Sequence, residues 1–193
     1  ETHSIERLGI PSLLMTDGHN GINVYHLIAN IITRLCERHR ISPDASPDLA
    51  GIHEPGRVLI DALLADRIDD PAVANMWPGN GDYVAELARE LRYSLPDGQL
   101  PTCFPTGIVM GATWDPTLVA ECARAVAREC LAFGLDVMLG PNVNIHRDVL
   151  GGRVFESYSE DPYLASRIAV DYIRGIQAEG VAAVVKHFTA NNQ

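Results

Sequence analysis

The chain has 193 residues, 47% hydrophobic and 21% charged, an ordinary globular composition that excludes disordered and collagen-like classes. Its 15 Lys and Arg against 25 Asp and Glu give a formal net charge of -10. Such a charge repels phosphate backbones and anionic membrane surfaces, so neither nucleic acid nor a membrane is an expected partner.

No apolar run approaches the roughly 20 residues of a membrane span. Glu1-Thr2-His3-Ser4-Ile5-Glu6-Arg7 has neither the basic start nor the apolar centre of a signal peptide, and the absence of Met at position 1 is read as a processed or clipped start. The first apolar run, Ser12-Leu13-Leu14-Met15, ends in Thr16-Asp17-Gly18 and reads as a buried strand over 12–16.

From Val24 to Leu100 the pattern changes. Val24, Leu27, Ile28, Ile31, Ile32, Leu35 and Cys36 repeat at helical spacing, and 58–64 and 83–91 suggest two more helices. Linkers rich in Pro, Gly, Asp and Asn separate them at 42–55 and 69–82. The segment 24–100 is therefore expected to be a helical insertion, either a lid, a homo-oligomer contact or an appendage without a role.

Beyond it, Ile108-Val109-Met110 reads as a strand over 108–112, Asp136-Val137-Met138-Leu139 as one over 136–140, and Ala183-Val184-Val185 as one over 182–186. Two helices of matched length lie between and after these runs. Asp115-Pro116 opens the first and Gly134 closes it, while Asp161-Pro162 and Gly180 bound the second at the same spacing. Asp suits the N-cap, Pro the first helical position, and Gly the left-handed residue past the C-terminus. In the first helix Leu118, Val119, Cys122, Ala123, Val126, Ala127, Cys130 and Leu131 form one apolar stripe, expected to pack on a sheet. Alternating strands and helices predict an α/β fold with a parallel sheet, whose ligands gather at the C-terminal ends of the strands.

Cys36, Cys103, Cys122 and Cys130 show no CxxC pair and no metal-finger spacing. Cys122 and Cys130 would lie about 12 Å apart on one helix, too far for a disulfide. All four are expected as buried free thiols, which favours a reducing, cytoplasmic compartment over export. No metal or other cofactor is expected, since His3, His26, His39, His53 and His146 show no zinc spacing and neither GxGxxG nor a P-loop occurs.

The polar residues that remain collect where strands end. Asp17 offers a carboxylate for two hydroxyl hydrogen bonds, or equally a turn or cap. Arg153 follows Gly151-Gly152, and its planar fork of donors suits vicinal oxygens or an ion pair with Glu156, Glu160 or Asp161. Asp161 is the expected helix cap. Lys186 and His187 follow Val184-Val185 directly, so both reach one ligand only if the strand becomes irregular there; surface solvation and structural hydrogen bonding are the alternatives.

Read together, these stretches resemble glycoside hydrolase family 3, the retaining β-glucosidases, β-xylosidases and exo-glucanases. The similarity runs through Gly9-Ile10-Pro11, Asp17-Gly18 and Gly21, then Thr102-Cys103-Phe104-Pro105 and Ala112-Thr113-Trp114-Asp115-Pro116. It continues through Gly140-Pro141, Asn144-Ile145, Gly151 to Pro162, Gly175, and Lys186 to Gln193. The resemblance implies the N-terminal part of a (β/α)8 TIM-type barrel, with Asp17, Arg153, Lys186 and His187 binding the glycosyl unit nearest the cleaved bond. The ammonium and the neutral imidazole would donate to sugar hydroxyls while Asp17 accepts. The implied substrate is a β-linked oligosaccharide or β-glycoside.

Three departures stand out: His19 where the family often has Pro, Asn23 where it often has Arg, and 24–100 where the connection is usually much shorter. The family's catalytic Asp and its acid/base come after later strands, so the resemblance implies that neither lies in this chain, which is expected to be a fragment. A non-catalytic carbohydrate-binding or scaffold protein of the same ancestry is the alternative. Thr189-Ala190-Asn191 after Lys-His-Phe argues against the β-N-acetylhexosaminidase branch, where Pro-Gly-His-Gly is usual.

Overall fold

A computed structural model describes residues 2–18, 20–23, 67, 101–188 and 191. The chain divides into two compact units, Glu1–Asn23 with Pro101–Gln193, and Val24–Leu100. The helices expected within 24–100 lie outside the described residues.

In the first unit, three strands form a parallel sheet in the order β1 (Met15–Asp17), β2 (Val137–Leu139), β3 (Ala182–Ala183). Met15 pairs with Val137 and Asp17 with Leu139; Val137 in turn pairs with Ala182. The α/β reading with a parallel sheet therefore holds, and the strands are shorter than the apolar runs that announced them. Asp136 secures the sheet's leading edge, its Oδ2 accepting from the Leu14 amide at 2.8 Å.

One expected strand is a helix. Residues 108–112 belong to α1 (Gly107–Ala112), not to a strand. Ile108-Val109 gives the segment strand-like propensity, but tertiary fit decides. Gly107 and Gly111, four apart and so on one helical face, press against backbone: a Cβ on Gly107 would meet the Glu156 carbonyl oxygen at 2.0 Å, and one on Gly111 the Tyr158 oxygen at 2.0 Å. Met110 is buried, while Ile108 and Val109 face outward.

The two matched helices form as expected, α2 over Pro116–Ala132 and α3 over Pro162–Ala178. Asp115 Oδ1 accepts from the amides of Thr117 (3.0 Å) and Leu118 (3.1 Å). Asp161 accepts from the amide of Tyr163 through Oδ1 (2.9 Å) and from that of Leu164 through Oδ2 (3.3 Å). Gly134 and Gly180 follow the helices with φ of 68° and 92°, left-handed conformations that glycine adopts without a Cβ clash.

The stripe on α2 packs against α3 as well as β2. Val119, Ala123, Val126, Ala127 and Cys130 are buried there, opposite Ala165, Ile168, Ala169, Tyr172 and Ile176 of α3. Leu118 and Leu131, at the margins of the stripe, are exposed. The helices are in tight contact at Gly175, where a Cβ would lie 2.5 Å from the Ala120 carbonyl oxygen. Of the cysteines, Cys130 is buried, its thiol pushed up to about 12 chiefly by desolvation, and Cys122 is half-buried. Cys103 is exposed, contrary to expectation, because it lies in the extended segment before α1 rather than on a packed face. All three are free thiols. No helix among the described residues is long and apolar enough to cross a membrane.

Candidate functional site

Parallel pairing places the ends of β1, β2 and β3 on one edge of the sheet, and the chain beyond each end is polar. Asp17 is the last residue of β1. Past β2, Asn142 bridges to Lys186, which lies beyond β3. The Lys186 amide donates to the Pro141 carbonyl at 2.9 Å, and its own carbonyl accepts from the Val143 amide at 2.8 Å. Lys186 is thereby fixed in register without belonging to a longer strand.

From there its ammonium donates to Asp17 Oδ1 at 2.5 Å, joining residues far apart in sequence. Burial pushes the Asp17 carboxyl up, but the hydrogen bond and charge of Lys186, the Gly18 amide and the Arg153 cation outweigh it, so Asp17 is held below the usual carboxylate range. It is ionised at neutral pH. Both bonds to Asp17 from Lys186 and Gly18 end on Oδ1.

Arg153 opens a single 3-10 turn, Val154–Glu156, and folds back on the carboxylate three residues later. Its Nε donates to Glu156 Oε1 and its Nη2 to Glu156 Oε2 at 2.7 Å, a bidentate pair. Glu156 Oε2 also lies 3.6 Å from the Lys186 ammonium. Of the three carboxylates weighed as partners for Arg153, the structure selects Glu156. Asp161 instead caps α3.

His187 joins the group because β3 ends at Ala183, so strand alternation no longer separates it from Lys186. The Lys186–His187 peptide is cis. The His187 ring Nδ1 lies 2.7 Å from Asn144 Oδ1, which also accepts from the His187 amide at 3.3 Å. A carboxamide oxygen accepts, so Nδ1 carries the proton. Burial first, then the Arg153 and Lys186 cations, lower the His187 pKa against the opposing pull of Glu156 and Asp17. The ring is thus neutral at pH 7, and its Nε2 is an acceptor rather than the donor expected from the sequence.

The site has a buried polar floor. Asn142 Oδ1 accepts from the Asn144 amide at 2.9 Å and from Ser157 Oγ at 3.2 Å. His146 Nε2 donates to the Ser157 carbonyl at 2.9 Å, which gives that histidine a structural place. Asn142, Asn144, Glu156 and Ser157 are all buried.

The four candidates Asp17, Arg153, Lys186 and His187 thus stand in one electrostatically connected group. Sequence reasoning passed over Asn144 as a partner for His187 and treated Glu156 only as one of three mates for Arg153. The i,i+3 spacing of Arg153 and Glu156 was a signal for their pairing; nothing in the sequence shows that Lys186 lies within reach of the same carboxylate. No group of His, Cys, Asp and Glu able to hold a metal occurs among the described residues.

Known proteins share this arrangement of sequence. Residues 95–193 match the Glycosyl hydrolase family 3 N terminal domain. A thermostable beta-glucosidase B from Acetivibrio thermocellus is 34% identical over 192 residues, covering 100% of this chain and 17% of the relative. A beta-glucosidase from Rhizobium radiobacter is 51% identical over 98 residues, 51% of this chain and 12% of the relative. The solved structure of beta-glucosidase 3B from Thermotoga neapolitana, in complex with alpha-D-glucose, superposes with a TM-score of 0.59 at 28% identity. That match covers 100% of this chain and 18% of that one. The chain therefore spans less than a fifth of the length of each of these proteins. On the extent of these matches, the chain belongs to glycosyl hydrolase family 3.

Proposed function

We propose that this chain is the N-terminal part of a (β/α)8 barrel in a retaining, exo-acting β-glycosidase, and that Asp17, Arg153, Lys186 and His187 bind the terminal sugar. The observation that carries this reading is the meeting of those four residues at the C-terminal edge of a parallel sheet, in a chain whose relatives are named beta-glucosidases.

The chemistry of the group suits a neutral polyol. Asp17 is ionised and accepts from hydroxyls, and His187 Nε2 accepts one more. Lys186 has three N–H donors and places one on Asp17; Arg153 has five and places two on Glu156. The remaining donors are those that this reading assigns to sugar oxygens. Bonds of this kind accelerate the reaction only in so far as they tighten while the sugar flattens toward its oxocarbenium-like state.

Retaining glycosidases use two carboxyl groups about 5–5.5 Å apart, one attacking the anomeric carbon and one protonating the leaving oxygen. In this reading both come from sequence downstream of Gln193, and Asp17 and Glu156, engaged with Lys186 and Arg153, serve neither role. The test is hydrolysis of a panel of nitrophenyl β-glycosides by the complete protein, with the anomer of the first-formed product followed by NMR. Turnover with retention is expected, and none from the 193-residue chain alone. Inversion, or substantial turnover by the isolated chain, overturns the proposal.

A further inference from the structure

Glu156 has no role in the reading above, yet it is the most buried charged side chain of the group, at 7% exposure for the residue. A carboxylate withdrawn from water must be matched by partners, and among the described residues two cations face Glu156: Arg153 in bidentate contact and Lys186 at 3.6 Å. The backbone presenting it is held from three sides. Gly107 of α1 lies against the Glu156 carbonyl and Gly111 against that of Tyr158. Ser157 donates to Asn142, and its carbonyl accepts from His146. The carboxylate thus stands on a fixed platform between two donors that the proposed function assigns to the sugar.

Its charge matters as much as its place. Arg153, Glu156, Lys186 and Asp17 form a chain of alternating sign, two cations against two carboxylates, beside a neutral His187. Whatever charge the rest of the site carries, removing that of Glu156 would make it one unit more positive and so shift its preference toward anionic sugars.

We propose that Glu156 is a positioning residue that directs Arg153 and Lys186 toward sugar hydroxyls and, by cancelling one cation, tunes the site to uncharged glycosyl units over uronic acids. The inference rests on the function proposed above and assigns the substrate charge class of that same site.

The test uses the complete protein, with glucose and glucuronate as competitive inhibitors of nitrophenyl β-glycoside hydrolysis. Wild type is expected to bind glucose more tightly than glucuronate. In Glu156→Gln, which keeps the shape but not the charge, the ratio of the two inhibition constants should move at least fivefold toward glucuronate. In Glu156→Asp, which keeps the charge and withdraws it by one methylene, kcat/KM should fall with the ratio unmoved. A merely structural Glu156 would weaken both inhibitors alike, and an unmoved ratio in a folded, active Glu156→Gln protein overturns the inference while leaving the function standing. Tighter binding of glucuronate than of glucose by wild type overturns it also, whether or not the variants fold. A folded wild type that hydrolyses no β-glycoside and is inhibited by neither sugar removes the functional reading and this inference together.

Discussion

The helix pair α2 and α3 and the loop from Asn142 to Ser159 lie in one compact unit but are held by different means. Between the helices the buried side chains are almost wholly apolar, and the missing Cβ of Gly175 makes room for the backbone of Ala120. In the loop the buried residues are Asn142, Asn144, Glu156, Ser157 and Tyr158, and most of the contacts are single, directional bonds. Packing of the first kind is non-directional and tolerates exchange of like for like. Bonds of the second kind fix atoms in direction, which recognition of a sugar requires, and a change in one of them should alter ligand binding more than it alters the fold.

The sharpest way to break this contrast is at α1, where the two kinds of packing meet. Gly111→Ala would drive a methyl into the Tyr158 carbonyl, a backbone atom that cannot rotate away, and should destabilise the protein by about 3 kcal/mol, the upper end for overpacking. Gly134→Ala, where nothing lies within 4 Å and only the left-handed φ is strained, should cost about 1 kcal/mol. Urea unfolding of both variants measures the difference; equal losses would show that α1 yields.

Under the proposed function, Lys186→Ala should spare the helix pair and lower kcat/KM of the complete protein roughly 10- to 150-fold, equivalent to about 1.5–3 kcal/mol, through loss of a charged donor. Steady-state kinetics with added azide or formate refines this. Those anions replace a lost carboxylate, so they should restore neither Lys186→Ala nor His187→Ala. Rescue of the histidine variant would make His187 a proton-transfer group.

Smaller still is the expected effect of a helix cap. Asp115→Ala and Asp161→Ala each remove a carboxylate that accepts from two amides and should cost about 1 kcal/mol in thermal or urea unfolding. If the two regions are as distinct as their contacts suggest, Asp115→Ala leaves KM unchanged, whereas Asp161→Ala, at the end of the loop, raises it slightly.

The smallest effect is a dependence on acid. The Asp17 carboxyl is depressed in the folded protein, so its stabilising contribution is present above the ordinary carboxylate pKa of 3.8 and is lost as pH falls through the lower folded value. The Asp17 side chain is 41% exposed, and solvent screening keeps this under about 1 kcal/mol. The stability difference between wild type and Asp17→Asn should therefore narrow from pH 5 toward pH 2. A difference that widened would mean that the pair with Lys186 does not favour the ionised form.

The same division explains what the sequence revealed. Asp115-Pro116 to Gly134 and Asp161-Pro162 to Gly180 could be read because cap chemistry is local, and the helices end where those residues say. Ile108-Val109-Met110 could not, because its helix depends on two glycines meeting the backbone of Glu156 and Tyr158, nearly fifty residues on. Asp17, Arg153, Lys186 and His187 were visible as polar residues placed after apolar runs or glycines. Glu156 was visible only as one of three mates for Arg153 and Asn144 only within the family resemblance; their contacts with Lys186 and His187 were not, since those are set by how a loop without periodicity crosses the edge of the sheet.

One further contact concerns the neck from which Val24–Leu100 departs. The Phe104 amide donates to the Asn20 carbonyl at 2.8 Å, and a Cβ on Gly21 would lie 2.3 Å from the Thr102 oxygen. The chain thus leaves and rejoins the first unit at neighbouring points, already stitched together. Loop-closure cost changes by only about 0.6 kcal/mol for each doubling or halving of length. The neck is in that sense a closed clasp: a connecting segment of very different length would change the closure cost little, while β1 and Asp17 keep their register with β2.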